Sequence, residues 1–394
     1  MELKFLILTR ANYPSSSWGK RVRMIANGLI KNGVNVKVLV TYPWPKIESI
    51  NTVEEHIEFL TKPSRKKESI FSILKQIKTL YQLHKTLENY KDYDKVLLTG
   101  DRWLDTAVVV KFCKKYKKEL FVEVVDEVGR KYDNKKFSLY RSLAILNREM
   151  FNHNLKNINK LFVISSYLEN KYSALMPKSK IIRSSPTITC IDEYIFNLKT
   201  YNYFELNNLI IKENELLITY AGSCERPNGI LFFLNCISNL IKNKKYNNIR
   251  IFFAFNIGDF RVVHNYVSEL GIEDIVTIKI DISHFYIPSI YNRSDILVLP
   301  EQGEIIANAG FPGKVGEYLI SGKAIISTDF SDLSLYLKNN YNCMISKIGD
   351  YEMYINNLDL LITSKEIREK LGVKAFETGI KYFSNKEAVK VYLR

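Results

Sequence analysis

Short apolar runs alternate with longer amphipathic segments along the whole chain. The runs are nearly continuous in Val, Ile, Leu and Phe, which is typical of parallel strands covered on both faces. Strands are predicted at residues 4–9, 34–41, 95–99, 120–126, 161–165 and 180–183, and then at 216–221, 250–255, 275–280, 296–300 and 324–327. Because helical segments separate most of these runs, the pattern indicates βαβ units and an α/β fold with parallel sheets.

Apolar residues at helical spacing predict the helices between the strands. In chain order they lie at residues 20–31, 69–90, 104–116, 138–155, 229–242, 261–270 and 314–321. The tail, at 365–383 and 386–393, is predicted to be helical with one charged face.

The strands form two series, separated by a polar, Tyr- and Asn-rich segment at 192–215 that we interpret as a linker. A chain of 394 residues exceeds what one compact core usually organises. We therefore predict two Rossmann-like domains facing each other across a cleft, at residues 1–195 and 196–375, and a C-terminal helix at 376–394 that returns to the first domain. Ligands of open α/β sheets bind at the carboxyl ends of the strands, so the loops after the strands are expected to carry the site.

Composition argues against several classes of protein. No apolar run reaches the roughly 18–20 residues needed to span a bilayer, and the chain start has the pattern of a strand rather than of a signal peptide. We therefore expect the protein in the cytoplasm. The five cysteines are scattered without a C-x-x-C pair or a Cys/His cluster, so neither a disulfide framework nor a metal site is predicted.

The chain is strongly basic, with 57 Lys and Arg against 42 Asp and Glu and a net charge of +15. Such an excess suggests an anionic partner, which can be nucleic acid, a lipid surface or a phosphorylated substrate. A solvated, lysine-rich surface is the alternative interpretation. The chain has no helix-turn-helix, zinc-finger or aromatic-platform signature. We therefore expect no nucleic-acid partner, although a basic nucleic-acid-binding protein remains a third hypothesis.

Residues 294–328 contain most of the candidate chemistry: a buried strand, a small-residue loop, a helix and another buried strand. Gly310, Pro312 and Gly313 shape the loop before the helix, and proline suits a first helical turn because its missing N–H would have no partner there. Glycine lets free backbone N–H groups approach an anion closely, and the helix dipole favours phosphate at this end.

Two charged side chains follow this loop. Lys314 can neutralise a pyrophosphate, and Glu317, in the first helical turn, can accept two hydrogen bonds from a ribose diol. The alternative is that Lys314 is a solvated charge and Glu317 a helix N-terminal acid. The glycine loop beside them favours the functional interpretation.

Residues 310–328, GFPGKVGEYLISGKAIIST, resemble the donor-binding segment of GT-B glycosyltransferases, in particular family 4 and its capsule and lipopolysaccharide relatives. The resemblance implies a nucleotide-sugar donor. It places against that donor the loop residues Asn308, Ala309, Gly310, Phe311, Pro312 and Gly313.

The family has a paired-glutamate motif whose second acid holds the nucleotide ribose. Glu317 matches that acid, whereas the first acid, which contacts the sugar, falls on Ala309. The chain thus departs from the family pattern at this position. Asn308 or Glu304 can take the place of the missing first acid.

A second matching stretch is YAGSCERPNG at residues 220–229, which resembles the strand and loop that open the family's second domain. Gly222 belongs to this loop and is expected at the donor. The resemblance implies that Arg226 and Lys314 bind the donor diphosphate, and Arg226 as an exposed turn residue is the alternative. Residues 281–288 resemble the loop that lines the base pocket in relatives.

In the first half, Gly19 occupies the place of a family glycine that lets the main chain approach the reacting phosphate or the acceptor. Lys20 and Arg21 are then expected to face the cleft or to point to water. Asp126 ends a strand in a stretch resembling the family's Asp-x-x-Asp, with Glu123 in place of the first acid. Asp126 is a candidate to orient the acceptor hydroxyl or act as its base, or else it caps the next segment.

The resemblance implies a retaining, metal-independent transferase that extends a cell-surface polysaccharide or glycolipid on a saccharide or lipid-linked acceptor. Cations and backbone N–H groups would then stabilise the leaving diphosphate. Basic clusters at 62–67, 114–118 and 129–136 suggest peripheral attachment to an anionic membrane. A nucleotide-sugar epimerase on the same scaffold is the alternative, although the chain is poor in the cleft histidines that such enzymes need.

Overall fold

The computed structural model describes residues 2–11, 13, 16–41, 55–60, 72–126, 139–206, 211–212, 214–225, 227–244, 246–302 and 310–394. The chain divides into two compact units. Unit 1 consists of Met1–Ile188 and Asn385–Arg394, and unit 2 of Thr189–Ser384.

Unit 1 is built on a seven-stranded sheet in the order β3-β2-β1-β4-β5-β6-β7, with every neighbouring pair parallel. Its strands are β1 (Lys4–Thr9), β2 (Asn35–Val40), β3 (Ile57–Phe59), β4 (Lys95–Thr99), β5 (Glu119–Val124), β6 (Lys160–Val163) and β7 (Ile181–Arg183). Its helices are α1 (Ser17–Lys31), α2 (Ser72–Leu87), α3 (Trp103–Tyr116), α4 (Leu139–Asn154) and α5 (Ser166–Ser173).

Unit 2 contains a six-stranded parallel sheet in the order β10-β9-β8-β11-β12-β13. Its strands are β8 (Leu216–Cys224), β9 (Ile249–Gly258), β10 (Val276–Ile280), β11 (Ile296–Leu299), β12 (Ala324–Asp329) and β13 (Met344–Lys347). Its helices are α6 (Ile191–Thr200), α7 (Tyr203–Leu206), α8 (Asn228–Lys244), α9 (Phe260–Leu270), α10 (Ile287–Arg293), α11 (Val315–Ser321), α12 (Tyr351–Thr363) and α13 (Lys365–Phe383).

Alternate residues of β8 face opposite layers of unit 2. Ile218 and Tyr220 pack into one apolar cluster with α8 and α12, whereas Leu217 and Ala221 pack into another with α6, α10 and α11. Both faces of the sheet are therefore covered, as the continuous apolar runs predicted. The predicted α/β fold with two parallel sheets is confirmed.

The last ten residues belong to unit 1, where α14 (Asn385–Ala388) packs on α1. Gly28 makes this approach possible, because a Cβ at that position would lie 2.4 Å from the Asn385 carbonyl oxygen. Beyond α14, Val389 and Tyr392 are fully buried in the core of unit 1. The end of the chain is thus part of the first sheet's packing.

The segment at 192–215, interpreted as a linker from the sequence, contains most of α6 and all of α7. Tyr194 of α6 and Tyr203 and Phe204 of α7 are buried in the apolar cluster of unit 2. These aromatic side chains bury a large apolar surface. A pattern based on aliphatic residues does not detect it. None of the helices in the described ranges combines the length and apolarity required to span a bilayer.

Candidate functional site

The loop before α11 is anchored at both of its described ends. The Gly310 carbonyl accepts a hydrogen bond from Ser331 Oγ at 2.7 Å, and the Phe311 ring packs between Phe383 and Tyr336. The Pro312 carbonyl accepts the N–H of Val315 at 3.2 Å, which closes a tight turn into the helix. Gly313, between these anchors, is exposed.

Helix α11 is held against the sheet by one buried tyrosine. The Tyr318 hydroxyl accepts the N–H of Ala221 at 3.2 Å and donates to the Val298 carbonyl at 3.3 Å, so it joins α11 to β8 and β11. Lys314, at the helix start, and Glu317, in its first turn, are therefore fixed relative to the carboxyl end of β8.

Lys314, Tyr220 and Gly222 form one contact. The Lys314 Nζ lies 3.6 Å from the centroid of the Tyr220 ring, which is a close cation–π distance. The Tyr220 hydroxyl donates to the Ser223 carbonyl at 2.8 Å, which fixes the ring. Gly222 has a φ of +147°, and a Cβ there would lie 2.4 Å from the Lys314 Nζ. A side chain at this position would displace the ammonium group, and the positive φ favours glycine.

Burial sets the electrostatics of this contact. Desolvation lowers the pKa of Lys314 to about 7, although the nearby carboxylates of Glu301 and Glu317 act in the opposite direction. The residue keeps some exposed surface, so solvent can reach part of it. A lysine in this state is a cation only weakly stabilised by its surroundings, and an added anion would favour its charged form.

Glu317 lies among buried tyrosines. Burial raises the pKa of Tyr194, Tyr291 and Tyr318, and the Glu317 carboxylate raises the pKa of each further. These hydroxyls therefore stay protonated at neutral pH. These tyrosine rings and the Lys314 ammonium group lie near Glu317, which is itself only partly exposed.

Six other candidate residues fall in two groups. Arg226, Asn308 and Ala309, and with them Glu304, lie outside the described residues. Gly19 and Asp126 are described but belong to unit 1. The N–H of Gly19 is donated to Ser16 Oγ at 3.0 Å as the cap of α1, and Asp126 is exposed two residues after β5. The structure thus brings together Gly222, Lys314 and Glu317, and the roles of the others stay predictions.

The expectation that Arg21 faces a cleft or solvent is wrong. Its guanidinium is buried and donates to both carboxylate oxygens of Glu123, at 3.2 and 2.8 Å, and to the Ser185 and Pro186 carbonyls. Glu123, which is fully buried, also accepts from the Tyr392 hydroxyl. Burial opposes the charge on Arg21, but the Glu123 carboxylate outweighs it and raises the pKa of Arg21. This pair joins α1, β5 and the chain end.

Sequence reasoning missed Tyr220 and Tyr194 as site residues. Tyr220 lies in an apolar strand, where a tyrosine usually only packs. Tyr194 was assigned to the linker. Its hydroxyl is buried and has no hydrogen-bond partner in the part of the chain that the structure describes. In that same part, no group of three His, Cys, Asp or Glu side chains is arranged to hold a metal ion.

Comparison with known proteins adds a family match. Residues 204–378 match the family model "Glycosyl transferases group 1". No curated protein matches the chain in sequence.

The fold is shared with solved structures of low sequence identity. Sucrose-phosphate synthase from Thermosynechococcus elongatus superposes with a TM-score of 0.71 at 14% identity, covering 100% of this chain and 98% of that one. HepE of Anabaena in complex with UDP gives 0.71 at 10% identity, covering 100% and 98%. A glycosyltransferase from Rickettsia africae gives 0.71 at 15%, covering 100% and 97%. The likeness extends over both units.

Proposed function

We propose that the protein is a glycosyltransferase that transfers a sugar from a nucleotide-sugar donor to a saccharide or lipid-linked acceptor. The match of residues 204–378 to the family model "Glycosyl transferases group 1" and the GT-B fold of the chain support this proposal. Unit 2 binds the donor. The complex of a protein of the same fold with UDP supports a nucleotide as part of that donor.

The Lys314 contact is the observation that carries this proposal. An ammonium group lies against Tyr220, in the space that Gly222 leaves open, and burial keeps the pKa of Lys314 near 7. Holding a lysine in this way costs stability in the free protein. A donor diphosphate offsets that cost, because its negative charge pairs with the ammonium. Glu317, one helical turn further along, accepts the hydroxyls of the ribose.

The reaction we propose retains the anomeric configuration and needs no metal. The bond from the anomeric carbon to the diphosphate oxygen breaks, and the acceptor oxygen bonds to the same face of that carbon. The acceptor proton passes to the departing diphosphate. Lys314 and Arg226 stabilise the negative charge that develops on the leaving group, which is the main contribution of the protein. Asp126 of unit 1 orients the acceptor hydroxyl.

The acceptor proposal extends to cell-surface polysaccharide or glycolipid synthesis on the cytoplasmic side of a membrane. Lys114 and Lys117, at the end of α3, are exposed. Basic side chains of this kind are attracted to anionic lipid by about 1 kcal/mol each. The other two basic clusters, 62–67 and 129–136, lie outside the described residues.

Glu317→Ala is expected to remove most of the stabilisation that a nucleoside diphosphate gives the wild-type protein. Loss of hydrogen bonds from the ribose to a charged acceptor corresponds to about 1.5–3 kcal/mol for each bond, so affinity falls at least tenfold. Thermal shift with UDP, GDP, ADP and CDP measures the effect, since ligand at 100 times its Kd stabilises by about 2.7 kcal/mol.

Glu366→Ala is the matched control. Glu366 is also a first-turn acid of a helix in unit 2, at the start of α13. If Glu317 only offsets the helix dipole, both variants lose a similar amount of stability and bind nucleotide like the wild type. That outcome would remove the ribose role, and absence of nucleotide binding by the wild type would overturn the transferase proposal.

A further inference from the structure

Tyr194 has a buried hydroxyl group for which the described residues offer no hydrogen-bond partner. The side chain is 8% exposed, and its Oη has no hydrogen-bond partner among the residues that the structure describes. A buried polar group left without a partner lowers stability, and such groups are rare in folded proteins. Phenylalanine at this position would keep the ring packing without that cost. The hydroxyl therefore calls for an explanation.

The position of Tyr194 connects it with the proposed donor site. Helix α6, which carries it, packs on α10, and α10 packs on α11. Tyr194 shares an apolar cluster with Tyr291 of α10 and with Val315 and Tyr318 of α11, the residues on either side of Glu317 along that helix. The rings of Tyr291 and Tyr318 lie edge to face with centroids 5.1 Å apart. This core packs against the part of α11 that carries Glu317.

The Tyr194 hydroxyl keeps its proton at neutral pH and can therefore donate a hydrogen bond. Burial raises the pKa of Tyr194 above its usual range, and the Glu317 carboxylate is the charged group that adds to the shift. No described residue accepts a hydrogen bond from the Tyr194 hydroxyl. By contrast, the Tyr318 hydroxyl already has two backbone partners, Ala221 and Val298.

We propose that Tyr194 is a positioning residue for the nucleotide: its hydroxyl donates a hydrogen bond to the Glu317 carboxylate when a ribose binds. A carboxylate offers about four lone-pair directions. Two of them can serve the ribose hydroxyls, and the bond from Tyr194 fixes the plane of the carboxylate so that these two directions point outward. This inference rests on the proposed ribose role of Glu317.

Tyr194→Phe gives a signature that a packing role alone would not give. Removal of a partnerless hydroxyl is expected to leave the stability of the free protein unchanged or higher. The affinity for a ribonucleoside diphosphate is expected to fall about tenfold, the value of one hydrogen bond to a charged group. The 2′-deoxy counterpart presents one ribose hydroxyl fewer to Glu317, so its affinity should fall less, by under about threefold.

Isothermal titration with the pairs UDP/dUDP, GDP/dGDP and ADP/dADP measures both effects on the full chain. Tyr354→Phe is the matched control, because Tyr354 is also in unit 2, fully buried and without a partner for its hydroxyl among the described residues. Tyr354 packs in the other apolar cluster, with α8 and α12. This control should bind every nucleotide as the wild type does.

The double variant Tyr194→Phe/Glu317→Ala separates the two proposals. If Tyr194 acts through Glu317, the double variant binds nucleotide as Glu317→Ala alone does. If Glu317→Ala weakens binding but Tyr194→Phe changes neither the affinity nor the ribose preference, the inference about Tyr194 is overturned and the function stands. If Tyr194→Phe weakens the ribo and deoxy forms equally in either background, the hydroxyl does not act through Glu317. If Glu317→Ala has no effect, both proposals fail.

Discussion

Lys314→Met is expected to lower the turnover of the sugar-transfer reaction by about 10²–10³-fold while making the free protein more stable. Removal of one preorganised group that stabilises developing charge has a cost of this size in kcat. Methionine keeps the length of the side chain and its contact with the Tyr220 ring, where the Lys314 Nζ lies 3.6 Å from the ring centroid. Only the charge and its hydrogen-bonding capacity are lost.

The gain in stability follows from the pKa of Lys314. Burial lowers it from an ordinary value of 10.5 to about 7 in the folded protein. Between pH 7 and 10.5 the unfolded chain therefore holds more protons, and stability rises with pH across that window. Below pH 7 the folded state carries the full cost of a buried charge. Because part of Lys314 remains exposed, the expected effect is smaller than the full pKa shift implies. We expect the free energy of unfolding of Lys314→Met to exceed that of the wild type by about 1–3 kcal/mol at pH 7.

The same pKa predicts a pH dependence of donor binding. A diphosphate favours the charged lysine, so above pH 7 binding should take up a proton and affinity should fall as the pH rises. Titration calorimetry in buffers of different ionisation enthalpy measures this uptake. Lys314→Met should bind weakly and without proton uptake linked to this group.

Lys365→Met is the control for a lysine of unit 2, since Lys365 has a side chain that is 79% exposed. The free energy of unfolding of Lys365→Met should differ from that of the wild type by under about 0.5 kcal/mol. This variant should bind nucleotide as the wild type does. If Lys314→Met is instead destabilised and binds a nucleoside diphosphate normally, Lys314 only packs on Tyr220, and the diphosphate role must be abandoned.

The sequence predicts the fold well where burial on both faces leaves continuous apolar runs. Strands β1 and β4 lie where they were expected, at Lys4–Thr9 and Lys95–Thr99. The pattern misses β3 and β13, which have three and four residues, although it predicts β7, which is equally short. It also misses elements whose burial depends on aromatic residues. Helix α6 was missed because its burial does not follow its apolar residues: Tyr194 and Asn197 are buried, whereas Ile195 and Phe196 are exposed.

The candidate site also has a part that the sequence predicts and a part that it does not. Glu317 and Lys314 could be proposed from the sequence because the glycine loop and the helix start are contiguous with them. The contact of Lys314 with Tyr220 and Gly222 could not, because the sheet brings together two segments that are distant in the sequence. Arg21 and Glu123 are 102 residues apart, and neither has a local signal that it is buried. Contacts between residues that are distant in the sequence can be identified only once the tertiary structure is known.

The single change expected to damage unit 1 most is Glu123→Ala. It leaves the Arg21 guanidinium buried beside Ser185 and Pro186 without its counter-charge. Removing one partner of a buried ion pair typically costs about 3–5 kcal/mol. All three tryptophans, Trp18, Trp44 and Trp103, lie in the sequence of unit 1. Their fluorescence during urea unfolding therefore follows the unit that carries the change.

Arg21→Met/Glu123→Leu distinguishes a structural pair from an acceptor-binding acid. Apolar side chains of similar volume often replace a buried ion pair without loss of stability, so the double variant should regain most of what Glu123→Ala loses. Because Glu123 is fully buried, sugar transfer by the refolded double variant should stay within about threefold of the wild type. A double variant with wild-type stability and no transfer activity would show that this carboxylate serves the acceptor, as the family pattern at this position suggests.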